Sequence, residues 1–227
     1  LVMVAAALLL LMIAGAVLGP VFSPWDGEAM DFEALEAPPS LSHWFGTDLV
    51  GRDLFVRTMQ GARVSFLVAF IAVTVSLAIG IPWGAAAGLA GGRVDQLMMR
   101  IVDGLYCLPG ILIVILLVVL FGRNPYLLFA ALGAISWLTI ARIVRGQTLR
   151  LRNAPFIEAA RAMGLSTPYI LRKHVIPNVI GPVIVYTTLA IPAVILAESF
   201  ISFLGLGIAE PQTSVCVLFS YCTAAVF

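Results

Sequence analysis

Asp103 and Glu198 are carboxylates set inside apolar stretches of the chain. A charge there is costly unless it lines a solute path, pairs with a cation or bonds a neighbouring helix. Asp103 follows Arg100 by about one helical turn, so the two are expected to pair near a membrane surface. Glu198 has no charged neighbour and stands four residues before Ser202, which leaves two roles open: lining a translocation path or bonding another helix. His43 and His174 fall on opposite sides of the membrane in the topology that the charge pattern implies, so they are not expected to form one metal site. Cys107 reads as packing, and Cys216 and Cys222 lack CxxC spacing, so they read as structural, with a disulfide between them as the alternative. There is no nucleophile–base pair, ligand cluster or GxxxxGK[ST] phosphate loop, so neither catalysis nor ATP hydrolysis is expected of this chain.

The chemistry left is recognition, and one segment is built for it. Phe156-Ile157-Glu158-Ala159-Ala160-Arg161-Ala162-Met163-Gly164, with Pro177 thirteen residues after Gly164, is a polar island between two greasy stretches. Asn153 and Pro155 are helix-start residues and Gly164 a helix stop. Thr167 then caps a second helix, with Pro168 in its first turn. Such an island has nothing to bury against lipid, so it is expected to meet a partner protein at the membrane surface.

The elements that hold this island are membrane spans. Of the 227 residues 61% are hydrophobic and 11% charged, against about 25% charged in soluble domains. A helix crosses a bilayer with ~20 apolar residues. Five stretches approach or exceed that: Leu1–Gly19, Val64–Leu89, Ile101–Phe121, Pro125–Ala141 and Val175–Ile208. Pro82, Pro109, Pro182 and Pro192 fall in helical stretches as tolerated kinks. Gly80, Gly84 and Gly88 form a small-xxx-small stripe that predicts close helix packing. A soluble fold of this length cannot enclose so much apolar surface.

Charge fixes the expected orientation. Seven of thirteen Lys and Arg fall between Arg142 and Lys173, where Glu158 is the one acid. By the positive-inside rule this loop is cytoplasmic. Residues 20–62 carry seven acids and face out, and counting spans places the N-terminus inside. Ala14-Gly15-Ala16 offers a signal-peptidase reading of the first segment, which leaves the next loop outside either way. A net charge of +1 makes no case for nucleic acid. In the outer loop, Trp44 and Phe45 suit the headgroup level. Thr47 or Asp48 is expected to cap a short interfacial helix with Phe55, Met59, Ala62 and Phe66 on one face.

The EAA-x3-G island with its closing Ile176-Pro177 resembles the EAA loop of ATP-binding-cassette (ABC) importer permeases. GTDxxGRD from Gly46 to Asp53, then Gly61-Ala62-Arg63, is similar to the second permease subunit of dipeptide, oligopeptide and nickel importers. Gly91-Gly92-Arg93-Val94-Asp95, Met99-Arg100-Ile101-Val102-Asp103 and Ile201-Ser202-Phe203-Leu204-Gly205-Leu206-Gly207 continue the likeness, which covers residues 41 to 211. Each string alone is weak; their order and topology make them specific.

The resemblance implies an all-α, polytopic transmembrane helical bundle of the type I importer kind. About five spans are expected here against the family's six, because the stretch from Ser214 to Phe227 is too short to cross. The organisation expected is span one at 1–19, an outer loop at 20–62, a permease core at 63–208 holding the coupling loop 147–177, and an atypical tail at 209–227. The implied partners are a second permease subunit, two ABC ATPase subunits that carry ATP and Mg, and an external solute-binding protein. The implied location is a bacterial or archaeal plasma membrane. Glu158, Ala159, Ala160, Gly164 and Pro177 are the expected ATPase-coupling residues, with Glu158 fixing the helix and the small residues allowing close backbone approach. No cofactor belongs to this chain. His174-Val175-Ile176-Pro177 departs from the family's Ile-x-Leu-Pro while keeping the apolar volume at Ile176. The alternatives are a secondary transporter driven by an ion gradient, which would need midplane carboxylates, and a membrane scaffold or receptor.

Overall fold

The computed structural model describes residues 2–122 and 124–206. Among the described residues the regular elements are helices, with a long irregular loop between the first two: α1 (Val2–Phe22), α2 (Leu54–Ala90), α3 (Gly92–Tyr106), α4 (Gly110–Phe121), α5 (Pro125–Leu151), α6 (Pro155–Ala162), α7 (Thr167–Ile170), a π-helical turn (Leu171–Val175) and α8 (Ile176–Phe203). Three helical stretches are long and apolar enough to cross a membrane: Leu54–Ala90, Tyr126–Leu151 and Thr167–Phe203. A fourth span exists if α3 and α4, bent by 71° at their junction, are taken together. In α1 the apolar stretch Leu10–Phe22 is shorter. Cys216, Cys222 and the tail 209–227 lie outside the described residues.

The expected boundaries shift in three places. The loop expected at 20–62 ends at Asp53, because α2 starts at Leu54 and runs 37 residues without a break. At 1.5 Å per residue α2 is about 55 Å long, well beyond the ~30 Å hydrocarbon core. Its first turns therefore lie in polar surroundings with Arg57 and Arg63. The coupling loop is also shorter than 147–177, since α5 continues through Arg142, Arg145 and Arg150 to Leu151. The third expected span is not one helix. Pro109 lacks an N–H and its ring crowds the carbonyl four residues back, so α3 stops at Tyr106 and α4 restarts at Gly110. Pro82, Pro182 and Pro192, by contrast, stay inside continuous helices.

The chain divides into two compact units. Of the described residues, the first contains 2–68, 124–125 and 195–206. Within it the outer loop is knitted to the start of α2. Asp53 Oδ1 accepts the Val56 N–H at 2.9 Å, the helix-capping role expected of Thr47 or Asp48. Thr47 instead hydrogen-bonds the loop itself, accepting from the Ala37 N–H at 2.8 Å and donating to the Ala34 carbonyl. Asp48 Oδ1 accepts the N–H groups of Val50 and Arg52, and its Oδ2 accepts Arg52 Nε at 2.9 Å and Arg57 Nη1 at 2.5 Å. Gly46 and Gly51 have φ of 77° and 81°. At both, a Cβ would strike loop backbone, that of Ala37 at Gly46 and of Asp31 at Gly51. The GTDxxGRD string is thus a clasp that fixes where α2 begins.

The second unit contains residues 69–122 and 126–194. Its spine is α2 against α5. A Cβ at Gly80, Gly84 or Gly88 would collide with Ile140, Ala141 and Thr148 respectively, and one at Gly133 would meet Ala72 and Val75. The glycine stripe lets two backbones approach as its spacing predicts. α3 is amphipathic and buries Asp95, Met99 and Val102, at helical spacing, on this pair.

Candidate functional site: the helix–turn–helix between α5 and α8

α6 starts at Pro155, preset for a first helical turn, after Ala154 at the N-cap in extended conformation. Asn153 stands one residue further out. The helix stops at Met163, where Gly164 takes φ 78° and its N–H and that of Leu165 bond back to Arg161 and Ala160 carbonyls at 2.9 and 3.1 Å. That is the left-handed stop for which glycine is suited. The N-cap position of the second helix falls one residue earlier than expected, at Ser166, whose side chain makes no capping bond, with Thr167 and Pro168 already in the first turn.

The five expected coupling residues divide. Ala160 is buried, 1% exposed, and does not face outward. With Ile157 it packs into a core formed by Ala85 and Leu89 of α2, Ile140 and Val144 of α5, and Ile170, Val175 and Val179. Burying an isoleucine such as Ile157 contributes about 1.5–3 kcal/mol, so α6 is a fixed knob on the second unit. Glu158, Ala159, Gly164 and Pro177 are exposed. A Cβ at Gly164 would meet nothing within 4 Å. Gly164 is there for its backbone conformation and not for close approach.

The outward face of α6 holds residues that the motif alone does not mark. Phe156 and Met163 are 42% and 72% exposed, and with Ala159 they follow the i, i+3, i+7 spacing of one face, beside Glu158. The signal was available in sequence as two large apolar residues on a short helix that buries a different stripe. On the second helix Lys173 Nζ lies 5.4 Å from the centre of the Tyr169 ring. Leu171–Val175 is a π-helical turn, which leads into α8 through Ile176 and Pro177.

The base of this site is held by ion pairs between α3 and α5. Arg145 grips Asp95 with two bonds, Nε to Oδ1 at 2.5 Å and Nη2 to Oδ2 at 2.7 Å. Asp103 does not pair with Arg100 as its spacing suggested. It accepts Arg142 Nη2 at 2.8 Å, and the same guanidinium lies 4.0 Å from the centre of the Tyr106 ring. Arg142 wins because it contributes a cation–π contact as well as the ion pair. The Gly91–Asp95 and Met99–Asp103 strings are therefore the acidic halves of two contacts to α5. Glu198 is fully buried in the first unit, and Ser202 Oγ donates to its Oε1 at 2.7 Å. Among the described residues no group of His, Cys, Asp or Glu is arranged to hold a metal.

Apolar helices of spanning length, joined by an exposed helix–turn–helix on a packed base, define a polytopic helical membrane protein. Residues 80–221 match the family model of the binding-protein-dependent transport system inner membrane component, and the chain belongs to that family. It is 50% identical over 197 residues to the oligopeptide transport system permease protein OppC of Haemophilus influenzae, covering 86% of this chain and 63% of that one. It is 42% identical to OppC of Bacillus subtilis, over 94% of this chain and 70% of that one. It is 46% identical to the dipeptide transport system permease protein DppC of Bacillus subtilis, over 91% and 65%. The chain thus spans between 63% and 70% of the length of these relatives. A chain of the inward-facing MetNI methionine ABC transporter shares the fold, with a TM-score of 0.59 at 18% identity over 74% of this chain and 87% of that one.

Proposed function

We propose that the chain is the transmembrane permease subunit of an ATP-driven, binding-protein-dependent importer of dipeptides or oligopeptides. Its partners are a second permease subunit, two ABC ATPase subunits that bind ATP and Mg, and an external solute-binding protein. The chain itself is non-catalytic and lies in a bacterial or archaeal plasma membrane with α6 in the cytoplasm. The observation that carries this reading is the build of α6: Ile157 and Ala160 are buried in its base while Phe156, Glu158, Ala159 and Met163 are presented outward. A helix so mounted moves with α2, α5 and α8 when a partner pushes it. Motion of the ATPase pair then passes to the spans as a rigid displacement, with the turn at Gly164 and the π-helical turn before Pro177 holding the angle.

Two changes test it. Glu158→Lys reverses the charge on the outward face, and Gly164→Val forces a β-branched residue into φ 78°. Both are expected to reduce ATPase copurification, or to separate hydrolysis from uptake, by at least about tenfold, the effect of a 1.4 kcal/mol loss. Leu77→Ile in α2 serves as the control, and membrane insertion should be normal in all three. Normal ATPase recovery together with normal peptide uptake in both loop variants would rule α6 out as the coupling element.

A further inference from the structure

α5 carries a stripe that changes character along its length. Ala131, Ala134, Ile135 and Leu138 line an apolar cleft of about 520 Å³ beside the α3–α4 bend. One turn further on, Arg142 and Arg145 line a polar cleft of about 560 Å³. Steps of three and four residues keep all six on one helix face. On the opposite wall Tyr106 belongs to the apolar cleft and Asp103 to the polar one. The clefts therefore meet where the Arg142 guanidinium lies over the Tyr106 ring, 4.0 Å from its centre.

Each cleft restricts what it can hold. In the polar one, three guanidiniums, of Arg100, Arg142 and Arg145, face the single carboxylate of Asp103. Arg142 and Arg145 are partly neutralised by Asp103 and Asp95, whereas Arg100 is exposed and unpaired among the described residues. An anion is called for. The apolar cleft offers few polar side chains, namely Tyr106, Ser136 and Thr139, and Ser136 Oγ already donates to the Leu132 carbonyl. A peptide placed there would leave its backbone N–H and C=O groups without partners. An acyl chain needs none. The rim is apolar and open, with Leu108 and Leu112 more than half exposed.

We infer that this double cleft binds one anionic phospholipid, its phosphate on Arg100, Arg142 and Arg145 and an acyl chain between Tyr106, Ile113, Leu117 and Ile135. Basic pockets between helices on the cytoplasmic side of a membrane are suited to such headgroups. The inference rests on the membrane placement proposed above. Bound lipid would bridge the bend between α3 and α4 and hold Arg142 against Tyr106.

Native mass spectrometry of the importer purified with its partners tests this, with phosphatidylglycerol and phosphatidylcholine added at equal concentration. Preferential retention of phosphatidylglycerol is expected. Arg100→Gln, which breaks no hydrogen bond or ion pair among the described residues, should lower that retention about fivefold, the worth of roughly 1 kcal/mol per basic side chain near a lipid surface. Ile113→Trp fills the apolar cleft without touching charge and should lower it comparably. Equal retention of phosphatidylcholine, or no change in either variant, would overturn the site. Displacement by millimolar inorganic phosphate, with Ile113→Trp neutral, would make it a free-anion site instead. Cross-linking of Leu117→Cys to the second permease would make it a subunit seam. Loss of the ATPase during purification strikes the proposed function, whereas loss of lipid selectivity with the ATPase bound strikes only this inference.

Discussion

At the scale of single residues, Asp48 shows how a loop without regular structure is fixed. Burial alone would push its carboxyl up, but the N–H groups of Arg52 and Val50 and the Arg52 guanidinium outweigh that and hold it below the ordinary carboxylate range. A depressed folded value means the stabilisation is complete above the unfolded value, near 4, and is lost as pH falls through the folded one. Protection of the backbone amides of residues 24–53 against hydrogen exchange, taken relative to the intrinsic rate at each pH, should therefore fall below about pH 4. Asp48→Asn, which removes the titrating group, should be less protected at pH 7 and lose most of that pH dependence. An unchanged acid profile in the variant would assign the clasp to other groups. Near it, His43 is buried, bonds Asp53 Oδ2 through Nδ1 at 2.9 Å and stacks on Trp25. None of this was legible in the sequence, because it depends on a chain reversal that brings residues 31, 43 and 53 together. The pairing of Asp103 was misread for a related reason: Arg100 is near in sequence, but α5 supplies Arg142 from 39 residues away with an aromatic face as well.

At the scale of elements, the seam between α2 and α5 was legible and the bend in span three was not. Small residues every four positions have one physical use in a long apolar helix, and the backbone of α5 fills the space they leave. Gly84→Leu should consequently force the helices apart and cost about 1–3 kcal/mol, the usual range for overpacking. Gly181→Leu in α8, where an added Cβ meets nothing within 4 Å, should be tolerated. Thermal unfolding of the detergent-solubilised protein compares them, and equal midpoints would mean the seam is loose. Pro109 stands at the break in its span, as the N-cap of α4 with Gly110 already helical, while Pro82, Pro182 and Pro192 stay inside continuous helices. Apolarity runs through the break unchanged and so does not mark it. The EAA island itself was legible as a helix–stop–helix, but which side of α6 faces in was not. That depends on α2 and α5, which bury Ile157 and Ala160.

At the scale of the molecule, the distribution of charge along the chain is the ground for the proposed orientation. α5 ends in Arg142, Arg145 and Arg150, and Arg152, Arg161, Arg172 and Lys173 follow before α8 is under way. The positive-inside rule favours a cytoplasmic place for this segment, and with α3 and α4 taken together as one span the acidic loop between α1 and α2 is then expected on the opposite side. The reverse orientation would require all seven cations to be translocated. Single cysteines at Arg150→Cys and Glu33→Cys, both exposed, discriminate the two once Cys107, Cys216 and Cys222 are replaced by alanine. On intact cells a membrane-impermeant maleimide should label position 33 at once, and position 150 only after permeabilisation. Prompt labelling at 150 with none at 33 would invert the orientation. It would also remove α6 from the reach of a cytoplasmic ATPase, so the mechanism proposed for its outward face stands or falls with this measurement.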